Sequence, residues 1–128
     1  MAANPAFATT PRLGVVQIST ANTNRDGTGT IGSVITGVAA GTRIQRVRIV
    51  ATGTTTAGVI RLFVDNGTNV RLLRETLVTA ITPSASIAVF QTEIEFENGL
   101  MLPSASYILK ASTHNAETFN VFALGADF

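Results

Sequence analysis

The sequence has 128 residues, no cysteine and a formal net charge of +1, and only 13% of its residues are charged. This length fits one domain with a single core. The missing cysteines exclude disulfides and thiol chemistry, and so small a net charge argues against binding to nucleic acid or to an anionic membrane. Because the charged fraction is about half the ordinary value, we expect neighbouring molecules to cover part of the surface.

Residues 1–11 are predicted to form an extended arm, since Pro5 and Pro11 disfavour a helix there. Phe7 is the only aromatic residue of the arm. Either the arm is a frayed terminus with Phe7 resting on the domain, or Phe7 docks the arm on another subunit. The arm has no signal-peptide pattern, and no window is apolar enough for a membrane helix, so we expect synthesis in the cytoplasm.

Residues 12–128 are predicted to form the folded domain, built from eight or nine short antiparallel strands. No window has helical period, and turn-forming residues separate the apolar segments. The segments 20–29 and 80–86 are long enough to cross between sheets, which favours a single all-β sandwich of Greek-key or jelly-roll type over an up-and-down barrel. The predicted strands cover residues 12–19, 31–36, 43–51, 58–65, 69–79, 86–96, 100–102, 106–112 and 118–124.

The central feature is a hairpin over residues 58–79. Its two arms are rich in apolar and β-branched residues, and Asn66 and Gly67 between them tolerate the positive φ that a tight turn needs. Both faces of its first arm are largely apolar, which predicts a central strand that is covered on both sides. The alternation slips at Ile44 and again between Leu72 and Leu73, and each slip predicts a bulge.

We find no pattern that predicts catalysis, a cofactor or a metal site. His114 is the only histidine and has no cysteine to complete a ligand set. Asp26 and Asp65 fit turn positions better than calcium loops, and the Gly-rich segment 27–32 lacks the lysine of a phosphate-binding loop. We therefore expect a protein that is not an enzyme and that acts by presenting a surface.

Two of the predicted strands each carry a row of like charges, and both rows are candidate interfaces. The arginine row is Arg43, Arg46 and Arg48, and the glutamate row is Glu93, Glu95 and Glu97. The glutamates at alternate positions of one strand lie about 7 Å apart, which fits a cation ladder, a glycosidase pair or a solvated face that discourages aggregation. A further interpretation is that the glutamates meet the arginine row, within the chain or across a subunit boundary. The candidate interface residues are Phe7, Arg12, Arg43, Arg46, Arg48, Glu93, Glu95 and Glu97.

Several segments resemble small virion proteins of tailed bacteriophages, of the head decoration or cement type. They are residues 51–63 (ATGTTTAGVIRLF), the Asp-Asn-Gly-Thr turn at 65–68, RLLRE at 71–75, and the ending 102–128. The resemblance implies a β-sandwich in the virion that is made in the host bacterial cytoplasm. It further implies an oligomer, commonly a trimer, whose partner is the major capsid protein or another virion protein. It carries over no catalytic residue.

The sequence also fits other functions. A tail or head-fibre module that binds a host-surface glycan would use the loop at 20–29 and the His114 loop as its binding rim. A carbohydrate-binding module detached from an enzyme is disfavoured because the chain has no tryptophan. An enzyme is the most distant alternative.

Overall fold

A computed structural model describes residues 7–128, which form eight β-strands. No helix that could span a membrane occurs in this part of the chain. The strands are β1 (Thr10–Ile18), β2 (Gly32–Thr36), β3 (Thr42–Ala51), β4 (Gly58–Asp65), β5 (Val70–Val78), β6 (Gln91–Leu102), β7 (Ile108–Thr113) and β8 (Phe119–Asp127).

The strands form two four-stranded antiparallel sheets, in the order β1-β8-β3-β6 (sheet A) and β2-β7-β4-β5 (sheet B). The pairing is nested, because β1 pairs with β8, β2 with β7, β3 with β6 and β4 with β5. A single long hairpin rolled over on itself produces this connectivity, which is the jelly roll. The predicted fold class, an all-β sandwich of eight or nine strands, is confirmed.

The tip of this rolled hairpin is the Asn-Gly turn of the sequence. Gly67 has φ +93°, in the region that favours glycine. The Asn66 side chain accepts hydrogen bonds from the amides of Thr68 and Asn69, at 2.9 and 2.8 Å, and Asp65 accepts one from the Gly67 amide at 2.8 Å. The turn therefore forms largely from its own side chains, and Lys110 of β7 adds an ion pair to Asp65 at 2.9 Å.

The core lies between the sheets and follows the alternation of the strands. In β3 the buried residues after the bulge are Val47, Ile49 and Ala51, and in β8 they are Phe119, Val121 and Ala123. The Phe90 and Phe119 rings meet edge to face, with centroids 6.4 Å apart. Burial of an apolar side chain of this size stabilises the fold by about 1.5–3 kcal/mol.

Both predicted bulges are present. The β3–β6 register shifts between Ile44 and Arg46, and the β4–β5 register shifts so that Leu73 has no partner. The predicted turn at Asn98-Gly99 is wrong: these residues form part of the first bulge, within a continuous β6. The predicted strands at 86–96 and 100–102 are therefore one strand, because the bulge absorbs the extra residues without ending the pairing with β3.

On one side of the sandwich β1 packs tightly on β2. A methyl group on Gly14 would lie 2.4 Å from the Val34 carbonyl oxygen, and one on Gly32 would lie 2.9 Å from a Val16 methyl. β1 begins at Thr10, two residues before the strand predicted from the sequence. Of the predicted arm, residues 1–6 lie outside the described residues.

Candidate interaction surfaces

The outer face of sheet A brings most of the predicted interface residues onto one surface. Cross-strand register places side chains in rows that run from β1 through β8 and β3 to β6. One row contains Leu13, Leu124, Arg46 and Glu95, and the next contains Val15, Phe122, Arg48 and Glu93. Each row thus passes from an apolar end on β1 and β8, over a cation on β3, to an anion on the edge strand β6.

The apolar end of this face is open to solvent. Leu13 is 62% exposed, Val15 53% and Leu124 37%. Leu13 and Leu124 line a shallow depression together with Phe122 and Val50, and Val15 lies opposite Phe122 on the neighbouring strand. These side chains lie on adjacent strands and form a continuous patch. We call the patch of Leu13, Val15, Val50, Phe122 and Leu124 the apolar band.

The arginine and glutamate rows meet within the chain at Glu93. Arg46 donates to its Oε1 at 2.9 Å, and Arg48 donates to its Oε2 at 3.3 Å. Glu95 and Glu97 are exposed and form no ion pair with any residue among 7–128. The exposed pairs at Glu93 contribute little to the stability of the fold. A partner molecule can therefore bind the charges of Arg46, Arg48 and Glu93, as well as those of Glu95 and Glu97, at small cost.

Arg43 and Phe7 line a groove at one end of the same face. The Arg43 side chain passes over Gly99, where an added Cβ would lie 2.3 Å from Nε, and Phe7 is 74% exposed. Met101, Leu124 and Phe128 form apolar walls of the groove. The predicted arm residue Phe7 therefore lies beside the predicted arginine row.

Arg12 has a different environment, because it ties the strands of its own chain together. It donates to both carboxylate oxygens of Asp127, at 2.9 and 3.1 Å, and to the Thr36 carbonyl at 3.0 Å. Asp127 also accepts a hydrogen bond from the Thr42 hydroxyl at 2.7 Å. Thr42 first, and Arg12 in addition, hold the pKa of Asp127 below its ordinary value.

This arrangement predicts a loss of stability in acid. A carboxylate whose pKa is lower in the folded than in the unfolded chain stabilises the fold above the unfolded pKa, and that stabilisation is lost as pH falls through the folded value. We expect the melting temperature to decrease once the pH is lowered past about 4. An Asp127→Asn variant, melted between pH 6 and pH 2.5, should show a shallower acid decline; an unchanged slope would contradict this role.

The β1–β2 loop, residues 19–31, covers part of the outer face of sheet B, and a buried arginine holds the loop there. Arg61 of β4 is fully buried. It donates to the Asn22 carbonyl at 3.1 Å and to Glu75 Oε2 of β5 at 2.8 Å. Arg25 of the loop donates to the same Glu75 oxygen at 2.7 Å.

Arg25, Arg61 and Glu75 form a charged cluster, and the two arginines stabilise the ionised form of the glutamate. Hydrogen bonds from Arg25 first, and from Arg61, lower the pKa of Glu75. Phe63, on the same outer side of β4, is also fully buried. The predicted covering of both faces of β4 is therefore present, with the buried Arg61 paired to an exposed Glu75 at the border of the covered region.

His114 belongs to this cluster. Its Nδ1 lies 3.1 Å from Arg61 Nη2, and since a guanidinium only donates, Nδ1 accepts. The Asn22 amide donates to the Thr113 carbonyl at 2.8 Å, so the loop at 20–29 and the His114 loop meet. No group of three potential metal ligands occurs within residues 7–128.

Sequence reasoning missed the role of Arg61. The available signal was one arginine in an otherwise apolar strand that was predicted to be covered on both sides. Its partner Glu75 lies directly opposite on β5 only because the bulge at Leu73 shifts the register.

No protein-family model matches this sequence, and no curated protein matches it. Among solved structures, the chain is similar to a pentameric capsid protein isolated from metagenomic phage sequences. In one crystal structure the identity is 16% and the TM-score 0.39, over 89% of this chain and 61% of the other. In a second, solved by iodide SAD phasing, the values are 16% and 0.39, over 89% and 62%.

The structure of infectious bursal disease virus Gx strain is similar at 12% identity and a TM-score of 0.42, over 99% of this chain and 36% of the other. The chain thus spans less than two thirds of the length of each of these proteins. TM-scores below 0.5 assign no function to this chain.

Proposed function

We propose that this chain is a bacteriophage virion structural protein, a capsid decoration or cement protein that binds between capsomers as an oligomer. The observation that carries the proposal is the apolar band on the outer face of sheet A. The solvated face of an antiparallel sheet ordinarily carries polar side chains, whereas a contiguous exposed apolar patch with a polar rim marks an interaction site. The charged ends of the same rows supply that rim.

The assignment to a virion is supported by the resemblance of residues 51–75 and 102–128 to tailed-phage virion proteins. A jelly roll alone does not distinguish capsid proteins from lectins or cupins. The resemblance favours a trimer and a location in the virion, with the major capsid protein or another virion protein as partner.

The proposed mechanism is binding without catalysis. A protein that binds the assembled shell, but not its separate parts, stabilises the shell by mass action. A stable contact of this kind buries about 800 Å² on each partner. The apolar band would be the centre of the contact, and Arg46, Arg48 and Glu95 would set its orientation.

Attachment to heads of the phage that encodes the chain tests the proposal. We expect a variant carrying Leu13→Glu and Val15→Lys to leave about tenfold fewer copies on purified heads, because it places charges at the centre of the contact. Copies per head are measured by quantitative gel or by imaging labelled protein, and circular dichroism confirms folding.

The matched control for this experiment is Ser33→Glu, an exposed change on β2 of the other sheet. It should attach like the unmodified chain. Equal attachment of the Leu13/Val15 variant, or no attachment of the unmodified chain to any head, would contradict the proposal.

A second candidate is a tail or head-fibre module that binds a host-surface glycan. It is favoured by one observation, the contact of the loop at 20–29 with the His114 loop. Most polar groups there already bond to one another, which leaves few for a sugar. Binding to a glycan array that is lost on substitution of exposed Asn24 or Thr23, and kept in the Leu13/Val15 variant, would favour this candidate.

A further inference from the structure

One side of the sandwich carries two open strand edges. Because β1 packs on β2, the opposite side is formed by the other two edge strands, β5 of sheet B and β6 of sheet A. Each of them pairs with one neighbour only, β5 with β4 and β6 with β3. A free edge of this length is a template for pairing with another chain.

These two edges carry opposite charges that nothing in the described part of the chain neutralises. Arg71 and Arg74 on β5 are exposed and take part in no ion pair with residues 7–128. The same holds for Glu95 and Glu97 on β6. Other charges of these strands are already paired, Glu75 with Arg25 and Arg61, and Glu93 with Arg46 and Arg48.

The β5 edge is also apolar. Leu77 is 77% exposed, and Leu72 and Leu73 are 38% and 39% exposed. A strand edge that combines exposed leucines with unpaired arginines is unfavourable in water and is complementary to an acidic edge. Among residues 7–128, β6 is the edge strand that carries unpaired glutamates, so a second copy of the chain is an acidic partner present in every solution of this protein.

We propose that two copies of this chain meet side by side across a two-fold axis that runs along the strands, with β5 of each copy beside β6 of the other. In a two-fold contact each patch meets its complement twice. The positive β5 edges would then face the negative β6 edges at two equivalent places. This proposal rests on the self-association in the proposed function and adds the surface through which two copies associate.

The arrangement explains why both complementary edges lie on the same side of one molecule. A head-to-tail ring needs its two complementary patches on different sides. A two-fold pair needs both patches on one side of the molecule, one on each sheet, as β5 of sheet B and β6 of sheet A are. The pair is either the whole assembly or the link between two trimers.

Charge reversal tests the proposal. The R71E/R74E variant makes both edges negative, and the E95R/E97R variant makes both positive, so we expect each alone to associate about 100-fold more weakly. An equimolar mixture should regain association, since every contact again joins opposite charges. Mass is measured by analytical ultracentrifugation over a concentration series, and circular dichroism checks folding.

The control combines Gln17→Glu and Ser33→Glu on the opposite edge strands, which should leave the mass unchanged. The unmodified protein should have the mass of two chains, or of six if trimers pair. A mass of one or three chains, or a mixture that does not regain association, overturns the proposal. Attachment of the R71E/R74E variant, whose changes lie outside the proposed shell contact, to phage heads in normal number would show that shell binding stands while only the pairing fails.

Discussion

An Arg61→Ala variant is expected to lose about 3–5 kcal/mol of unfolding free energy. Arg61 is fully buried, and its guanidinium donates to Glu75, to the Asn22 carbonyl and to His114. Its removal takes this donor from the Asn22 carbonyl and from His114, leaves Glu75 with Arg25 alone, and opens a space beneath the β1–β2 loop. Urea denaturation followed by circular dichroism measures the loss.

One further variant separates the charge of Arg61 from its volume, and a second provides an exposed-arginine control. Arg61→Met retains much of the volume and loses the donors, so it should lie between the alanine variant and the unmodified protein. Arg74→Ala, on the neighbouring strand, removes an exposed arginine without an ion pair and should change stability by less than about 0.5 kcal/mol. If Arg61→Ala and Arg74→Ala change the unfolding free energy equally, Arg61 does not hold the β1–β2 loop on sheet B.

The loop itself provides a second measurement. If Arg61 holds residues 19–31 on sheet B, the Asn22 amide, which donates to Thr113, should exchange with deuterium much faster in the Arg61→Ala variant. Amides at the centre of sheet A should change only with global stability. Uniform acceleration across both sheets would assign Arg61 a general packing role.

The second large effect is expected from Gly14→Ala, which should lower the unfolding free energy by about 2–3 kcal/mol. The added methyl would lie 2.4 Å from the Val34 carbonyl oxygen and 2.5 Å from the Ile35 Cβ. Both neighbours belong to β2, so relief of the clash requires β1 and β2 to separate. The same denaturation experiment measures the effect.

Gly53→Ala is the matched control for this substitution. No atom lies within 4 Å of a Cβ placed at Gly53, and its φ is not positive. Because alanine restricts the unfolded chain more than glycine does, we expect no loss and a gain of up to about 1 kcal/mol. If Gly14→Ala is as harmless as Gly53→Ala, the close approach of β1 to β2 is not needed for stability.

The features predicted correctly from the sequence are those encoded by neighbouring residues. Asn66 and Gly67 form their turn with side chains that lie within three residues. The bulges at Ile44 and Leu73 were visible because a one-residue slip reverses the apolar alternation. At Asn98-Gly99 the same reasoning was wrong, since a turn-forming pair also fits a bulge within a continuous strand.

Contacts between distant parts of the chain were beyond the sequence patterns. Leu13 and Leu124 form one patch because the first strand pairs with the last. Arg12 was predicted as an interface residue, and the structure shows that it binds Asp127 at the other end of the chain. Arg61 meets Asn22 through a loop that returns from the opposite sheet.

By itself, therefore, the sequence determined the all-β class, the hairpin tip and the sparse charge that predicts a covered surface, because local turn chemistry and alternation encode these properties. Only the tertiary structure decided which charges pair within the chain, which side chains form the apolar band, and which strand edges stay open. The physical reason is that sheet partners far apart in sequence are selected by the packing of the whole core, and no short segment records that choice.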